Sequence, residues 1–211
     1  MTRNDVKKQL FNHFQNNLSL YTFTTILIFI GIFFGAIIVN SLNIEQKNDL
    51  YLYLTRFFKQ IINEPGMSAF DLFNQSFSHY LKYIGLIWIL GISVIGLPII
   101  LILLFLKGIV VGFTVGFFVS QMGIKGFFLA LVSVLPQNLI LIPAFIIIGV
   151  ASISFSLRMI RMQFKKSHPF APLFIRYSLL MVGVIGLIVL SSSIEAWVSP
   201  ILMKAIIKFI V

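Results

Sequence analysis

The chain has 211 residues, of which 59% are hydrophobic and only 10% are charged, and its formal net charge is +10. Soluble domains carry roughly 25% charged residues, and the uncharged runs here are about as long as the ~20 residues that cross a bilayer. The composition excludes a soluble globular domain and predicts an all-α polytopic membrane protein with about five transmembrane helices. Because the chain has no cysteine, disulfides and thiolate metal sites are also excluded. The basic residues lie beside apolar runs, as topology determinants do, so we expect no nucleic-acid binding.

The first part of the chain predicts a short helix, a span and an outer loop. Residues 1–19 combine basic side chains with an apolar helical face, so we expect a cytoplasmic helix there. Residues 20–41 are an uncharged run long enough for the first span. The next segment, 43–82, has equal numbers of acidic and basic side chains. Because cytoplasmic loops carry an excess of Lys and Arg, this balance predicts an extracytoplasmic segment.

The extracytoplasmic segment is predicted to be an amphipathic helical hairpin. Its polar side chains recur at spacings of three and four up to the sequence NEPG (63–66), which ends the first helix. Ser68 followed by Asp71 predicts the capped start of a second helix that continues into the next span. The hairpin packs on the outer rim of the protein, offers a docking face to another protein, or does both. The candidate partner contacts are Asp49, Tyr53, Arg56 and Lys59.

The rest of the chain alternates apolar runs with short polar connections. We expect, in order, span 2 at 83–106, a short span 3 at 108–121, a broken span 4 at 127–157, a basic cytoplasmic loop at 158–176, span 5 at 177–194 and an outer interfacial helix at 196–211. The predicted span 3 is so short that it either crosses the bilayer or re-enters it from one side. The final helix is too short to span, so it lies on the surface, re-enters, or packs on the other helices.

The basic residues predict the orientation. The loop at 158–176 carries no acid and five basic side chains, namely Arg158, Arg161, Lys165, Lys166 and Arg176. An excess of Lys and Arg marks the cytoplasmic side, and the N-terminal segment carries one too. An odd number of crossings then places the C-terminus outside the cytoplasm.

The fourth span contains a predicted helix break. Pro136 has no N–H group and cannot close a helical hydrogen bond to the preceding turn. In hydrocarbon the freed carbonyl groups need other partners, which Gln137 and Asn138 can supply. We therefore predict a short first half near 127–135, an elbow at these three residues, and a second half in which Pro143 adds a kink.

Two runs of glycine predict close helix packing. The spacing of four places each set on one helix face, where small residues let two backbones approach. These faces serve either packing within the chain or a homodimer contact. The residues are Gly31, Gly35, Gly108, Gly112 and Gly116.

The sequence lacks the groups that catalysis or ion-coupled transport needs. Ionisable residues inside a membrane usually mark transport or catalysis, and between the ends of the predicted spans we find none. The three histidines are too scattered to bind one metal, no hydrolase or nucleotide-binding motif is present, and no cofactor is implied. The serines in the spans have no embedded base to activate them. We expect a protein that is not an enzyme.

Three segments carry a resemblance to a known family. The stretches FGAIIVNSLNIEQKNDLYLYLTRFF (34–58), FLKGIVVGFTVGF (105–117) and LPQNLILIPAFIIIGVASISFSL (135–157) closely resemble the stage II sporulation protein M family of endospore-forming bacteria. The wider family has a P-H-G-x-x-E pattern at the break. Pro136 matches it, whereas Gln137, Asn138 and Leu141 stand in place of its His, Gly and Glu, so any activity that depends on that titratable pair is in doubt here.

The resemblance implies a role in engulfment during sporulation. It places the protein in the mother-cell membrane at the septum, together with stage II sporulation proteins D and P, which cleave peptidoglycan. The chain would be the non-enzymatic scaffold that anchors and recruits these hydrolases. The alternative is a permease-like or channel-forming subunit, in which Gln121, Gln137 and Asn138 line a passage, because broken helices often build substrate sites.

Overall fold

The protein is a bundle of helices. The computed structural model describes residues 15, 17–63, 68–164 and 170–210, without the side chains of 57–63, 163–164, 170 and 207–210. No strand occurs in these ranges, which confirms the all-α prediction. The helices are α1 (Leu18–Asn40), α2 (Ile44–Asn63), α3 (Ala69–Ile92), α4 (Gly96–Ser133), α5 (Leu135–Phe164), α6 (Phe170–Ser193) and α7 (Ser199–Ile210), and a π-helix (Ile194–Val198) joins the last two. The predicted N-terminal helix falls mostly outside the described residues.

Four stretches are long and apolar enough to cross a bilayer. They are Leu18–Asn40, Gly96–Ser133, Leu135–Met162 and Ala171–Ile206. This finding confirms the prediction of a multi-pass membrane protein. The helix α3 packs among them although its part up to Lys82 is more polar, with Asp71 and His79.

The helices of the bundle run in alternating directions. α1 and α4 are parallel, because Gly31 lies beside Gly108 and Ala36 beside Gly116. α3 is antiparallel to α4, because the chain reverses direction in the short connection between them. The hydroxyl of Tyr83 on α3 donates to the carbonyl oxygen of Leu103 on α4 at 2.6 Å. α5 runs against α6, since Ser152 contacts Tyr177 and Ser191 contacts Gln137.

The predicted span 83–106 is wrong as one helix, because the chain turns at 93–95. Ser93 is extended, with φ −103° and ψ 138°, and the hydroxyl of Ser156 on α5 donates to its carbonyl oxygen at 3.1 Å. Gly96 lies against the carbonyl oxygen of Leu90, where a side chain would collide. Pro98 follows in the first turn of α4, where a missing N–H group costs nothing. These residues form a tight reversal that hydropathy does not reveal.

The predicted short span 108–121 is instead the middle of α4. This helix is interrupted at Gly123, whose φ of 58° and ψ of −134° suit glycine. Its first arm is therefore 96–122, which at 1.5 Å per residue is roughly 40 Å long and has no need to be re-entrant. The second arm, 124–133, turns back so that Leu129 and Ala130 pack on Phe118.

The basic loop and the tail also differ from the predicted boundaries. α5 continues to Phe164 and α6 begins at Phe170, so most of the predicted loop 158–176 is helical. The tail helix α7 packs on α4 with Met203 buried, which is the packed alternative rather than an isolated surface helix. Both differences arise because a helix end is set by packing and capping, which the charge pattern does not encode.

The main core lies where α3, α4, α5 and α6 meet. Its fully buried members are aliphatic apart from Phe145, whose side chain is 1% exposed. α1 contributes Ile28 to this core, with Leu20 and Ile32 packed against it, and presents most of its other large apolar side chains outward, as a helix facing lipid does. The core therefore surrounds the middle of α4. The other buried members include Ile84, Ile87, Ile100, Leu104, Leu141, Ile148 and Ile188.

Candidate functional site

The glycine faces of α1 and α4 meet each other along one seam. Side chains added at Gly35 and Gly112 would collide with the carbonyl oxygens of Ile109 and Ile32 on the opposite helix. Farther along, a methyl group on Gly116 would lie 3.0 Å from the Cα atom of Ala36. Backbone-to-backbone approach of this kind is how helices gain contacts in lipid. The structure brings the five predicted glycines together within one chain.

The seam fixes the depth of Lys107 in the bundle. Gly31 lies near the middle of the 23-residue helix α1, and a methyl group there would be 3.2 Å from the Cα atom of Gly108. Lys107 is the residue before Gly108, so it lies level with the middle of α1. Tyr80, in the middle of the 24-residue helix α3, contacts it from the other side. The ammonium group is therefore far from both ends of these helices.

Lys107 is held between two aromatic rings. Its Nζ atom is 5.0 Å from the ring centroid of Tyr80 and 5.1 Å from that of Phe145. A cation over an aromatic face is attracted by the negative charge of that face, and more strongly when water is excluded. The ring of Phe145 is fixed in turn by an edge contact with Tyr83, with centroids 5.3 Å apart. The sandwich thus compensates part of the cost of burying the ammonium group.

The acid of this cluster is Glu195, on the π-helix. The hydroxyl of Tyr80 donates a hydrogen bond to its Oε2 atom at 2.9 Å, and its charge attracts Lys107. A π-helix adds one residue to a turn, is rare, and is frequent at functional sites. Here the N–H group of Ser199 bonds to the carbonyl oxygen of Ile194, five residues earlier, which defines the wide turn. Lys107, Tyr80, Phe145 and Glu195 are called the charged cluster below.

The expectation that no ionisable residue lies between the span ends is wrong. Lys107 stands between two apolar runs that looked like separate spans, and Glu195 follows the predicted fifth span. The structure shows instead that both residues are inside long helical stretches that can cross a bilayer. One signal pointed to this: the glycine repeat, which predicts a face that packs on another helix, begins at Gly108, directly after Lys107.

The break near Pro136 lies two residues earlier than predicted. The short arm of α4 ends at Ser133, Val134 interrupts the helix, and Pro136 occupies the first turn of α5, where proline is tolerated. The side-chain amide of Asn138 donates to the carbonyl oxygen of Val134 at 2.7 Å. The hydroxyl of Ser191 donates to the carbonyl oxygen of Gln137 at 3.1 Å. Side chains from two helices therefore bond to backbone carbonyls around the break, one of which, that of Val134, also accepts from the N–H group of Asn138 at 3.3 Å.

Polar oxygen atoms at this break are not all paired. The amide oxygens of Gln137 and Asn138 are buried and have no hydrogen-bond partner among the described residues. Pro143 lies inside α5, and Gln121 is half-buried near the end of the first arm of α4. Among the described residues, no hydrogen bond joins Gln121 to Gln137 or Asn138.

Serines of α5 tie it to its neighbours. The hydroxyls of Ser152 and Tyr177 are 2.7 Å apart, and Tyr177 donates to the carbonyl oxygen of Trp88 at 2.8 Å. The hydroxyl of Ser154 donates to the side-chain oxygen of Asn17 at 2.8 Å. Satisfied buried hydroxyls fix the relative position of helices. These contacts give the serines a structural role and no described base activates them.

The comparison with known families concerns nearly all of this bundle. A family model described as stage II sporulation protein M matches residues 24–200, from α1 to the start of α7. The chain belongs to the stage II sporulation protein M family. No curated protein and no solved structure matches it. The resemblance in the sequence is thereby confirmed, and the match includes the glycine seam, the charged cluster and the break.

In this member of the stage II sporulation protein M family, the predicted partner contacts lie along one exposed side of α2. Asp49, Tyr53 and Arg56 are exposed, Tyr53 by 69%. The side chain of Lys59 lies outside the described residues. Another side of α2 contacts the bundle, where Leu54 packs on the cluster around Phe118. α2 thus presents a polar face on a fixed support.

The predicted topology residues of this family member lie at one end of the bundle. Arg158 and Arg161 are exposed on the last turns of α5, and Arg176 is exposed on the first turns of α6. Lys165 and Lys166 fall outside the described residues. Because α5 and α6 are antiparallel neighbours, these ends are adjacent. Elsewhere in the described ranges, no group of three or more His, Asp or Glu side chains is placed to hold a metal ion.

Proposed function

We propose that the chain is a non-enzymatic membrane scaffold of the engulfment machinery in sporulation. In this proposal it anchors and recruits the peptidoglycan hydrolases D and P at the mother-cell side of the septum. Family membership supports a sporulation-related membrane protein. The observation that carries the finer proposal is the fixed, polar outer face of α2 on a helical body whose buried hydroxyls serve packing. An anchor needs a rigid body in the bilayer and a presented face outside it.

The docking face of α2 is testable by capture of the partners. We expect Asp49→Lys, Tyr53→Ala and Arg56→Glu, combined in the full-length chain, to reduce co-purification of proteins D and P at least tenfold, as loss of hot-spot contacts does. The control is Tyr51→Ala. Tyr51 is also exposed on α2, by 47%. Because it is two residues from Tyr53 on a helix with 3.6 residues per turn, it points away from the Asp49, Tyr53 and Arg56 face.

Three results of this capture are distinguishable. Equal loss in the Tyr51→Ala control would show a general defect of α2 and contradict a specific face. Unchanged capture by the triple variant would move the binding site into the bundle. Failure of the unaltered chain to capture either hydrolase would overturn the scaffold proposal.

We also propose that the N-terminus is cytoplasmic and the C-terminus extracytoplasmic. The basic ends of α5 and α6 and the neutral outer segment support this orientation, as does the alternation of helix directions. In intact cells, a membrane-impermeant maleimide should label Ile124→Cys and leave Ala171→Cys unlabelled. Both positions are exposed in the structure, and Ile124 avoids the left-handed backbone of Gly123. Labelling of Ala171→Cys alone would reverse the orientation.

A permease-like subunit is the second candidate, favoured by the charged cluster. Ionisable residues at mid-depth and interrupted helices are both features of membrane transporters. Against it, the side-chain amide of Asn138 is bonded to helix backbone rather than lining a passage. Solute flux by the purified chain in proteoliposomes that is lost in Lys107→Met would favour this candidate over the scaffold.

A further inference from the structure

The charged cluster joins parts of the chain that are far apart in sequence. Tyr80 belongs to α3, Lys107 to α4, Phe145 to α5 and Glu195 to the π-helix. Each charge alone is costly at this depth, because hydrocarbon solvates it poorly. Tyr80 links the two opposite charges, because its ring lies 5.0 Å from the Lys107 Nζ atom and its hydroxyl donates to Glu195 at 2.9 Å. The position of Glu195 is thus constrained by groups on the bundle.

The π-helix that carries Glu195 is also the start of the tail. Trp197, two residues later, packs on Phe73 of α3 with ring centroids 5.7 Å apart. α7 then begins at Ser199 and runs along α4. Both contacts of the π-helix are made on one face of α3, where Phe73 and Tyr80 are seven residues apart. The position of α7 on α4 therefore depends on the contacts of Glu195 and Trp197 with α3.

α7 covers a second cluster of buried residues at the far end of α4. Phe118, Leu129 and Ala130 form this cluster, and Ile206 of α7 packs on it together with Leu54 of α2. Met203, one turn before Ile206, is only 6% exposed. The attachment of α7 thus supports the same cluster that supports α2.

We propose that Lys107, Tyr80 and Glu195 form an electrostatic latch that holds α7 closed against α4. With both charges present, the π-helix is fixed to α3 and α7 covers the cluster around Phe118. When one charge is removed, the other is left inside the bundle without compensation, and the bundle relieves this by releasing the π-helix and α7. When both are removed, no uncompensated charge remains and the closed position is retained, because removing one partner of a buried pair is more damaging than removing both.

The test measures how fast a thiol under α7 reacts, in the full-length chain in lipid nanodiscs. The chain has no cysteine, so Met203→Cys supplies a single reporter. Ala205→Cys is the matched control, because it lies on the same helix and is exposed. We expect Met203→Cys to react with maleimide at least tenfold faster in the Lys107→Met and Glu195→Leu backgrounds, and Ala205→Cys to react at an unchanged rate.

The double variant decides between a latch and a loss of packing. In Lys107→Met combined with Glu195→Leu, the reaction of Met203→Cys should return to within about threefold of the parent rate. If a single charge variant does not fold, Tyr80→Phe removes only the hydrogen bond to Glu195 and should give a smaller acceleration. Unchanged rates in the foldable variants, or a double variant as fast as the singles, would overturn the latch. No partner protein is present, so the result is independent of the capture experiment.

Discussion

Replacing Gly112 with alanine should lower the free energy of unfolding by about 3 kcal/mol, because the new methyl group meets backbone that cannot move aside. The group it would strike is the carbonyl oxygen of Ile32, with the carbonyl carbon and Cα atom of the same residue directly behind it. A flexible side chain could rotate away, whereas α1 as a whole would have to shift. Denaturant titration in mixed micelles, followed by helical circular dichroism, measures the loss.

The chain offers matched controls for this substitution. Gly183 and Gly186 lie on α6 and have no atom within 4 Å of an added methyl group. Alanine at either position should be neutral or should stabilise the helix by up to about 1 kcal/mol, because alanine has the higher helix propensity. Gly116→Ala should fall between these cases, since its nearest contact is 3.0 Å. Equal effects at Gly112 and Gly183 would contradict the seam.

The second large effect is expected for Phe145→Ala, with a loss of about 4 kcal/mol in the free energy of unfolding. Phe145 is among the largest fully buried side chains, so truncation leaves a cavity in the main core. It also removes one of the two rings that hold the Lys107 ammonium group and the edge contact with Tyr83. The same denaturant titration measures this loss.

Phe29→Ala is the control for the loss of an aromatic ring. Phe29 lies on α1 and is 62% exposed, so its ring faces outward into the lipid rather than a protein cavity. Because the truncated site is filled by lipid, the cost should stay below about 1 kcal/mol. A loss at Phe29 as large as that at Phe145 would mean that ring removal acts through something other than the core.

Local sequence signals located some helix ends correctly and missed others. Ser68 caps α3, accepting from the N–H group of Asp71 at 3.2 Å, as the spacing of the two residues predicts. A cap needs only neighbours in sequence, so it can be recognised there. The reversal at 93–95 depends on Ser156, which is far along the chain. Pro136 signalled a break but not its place, because proline fits the first turn of the helix that follows.

The same distinction applies to the candidate sites. The five glycines were recognised by their spacing, yet the sequence left open whether they pack within one chain or between two. Only the tertiary structure shows that the two sets face each other. The charged cluster was missed, because its members are contributed by four helical elements and its two charged residues, Lys107 and Glu195, each looked like the boundary of an apolar run.

The sequence by itself determined that this is a membrane protein, that it is helical, and which family it resembles, because hydropathy, composition and motifs are properties of contiguous segments. Only the tertiary structure decided where the helices reverse and that Lys107 and Glu195 are embedded together. The physical reason is that a charge inside a membrane is tolerated according to its neighbours in space. For Lys107 those neighbours are Tyr80, Phe145 and Glu195, and none of them is near it in the chain.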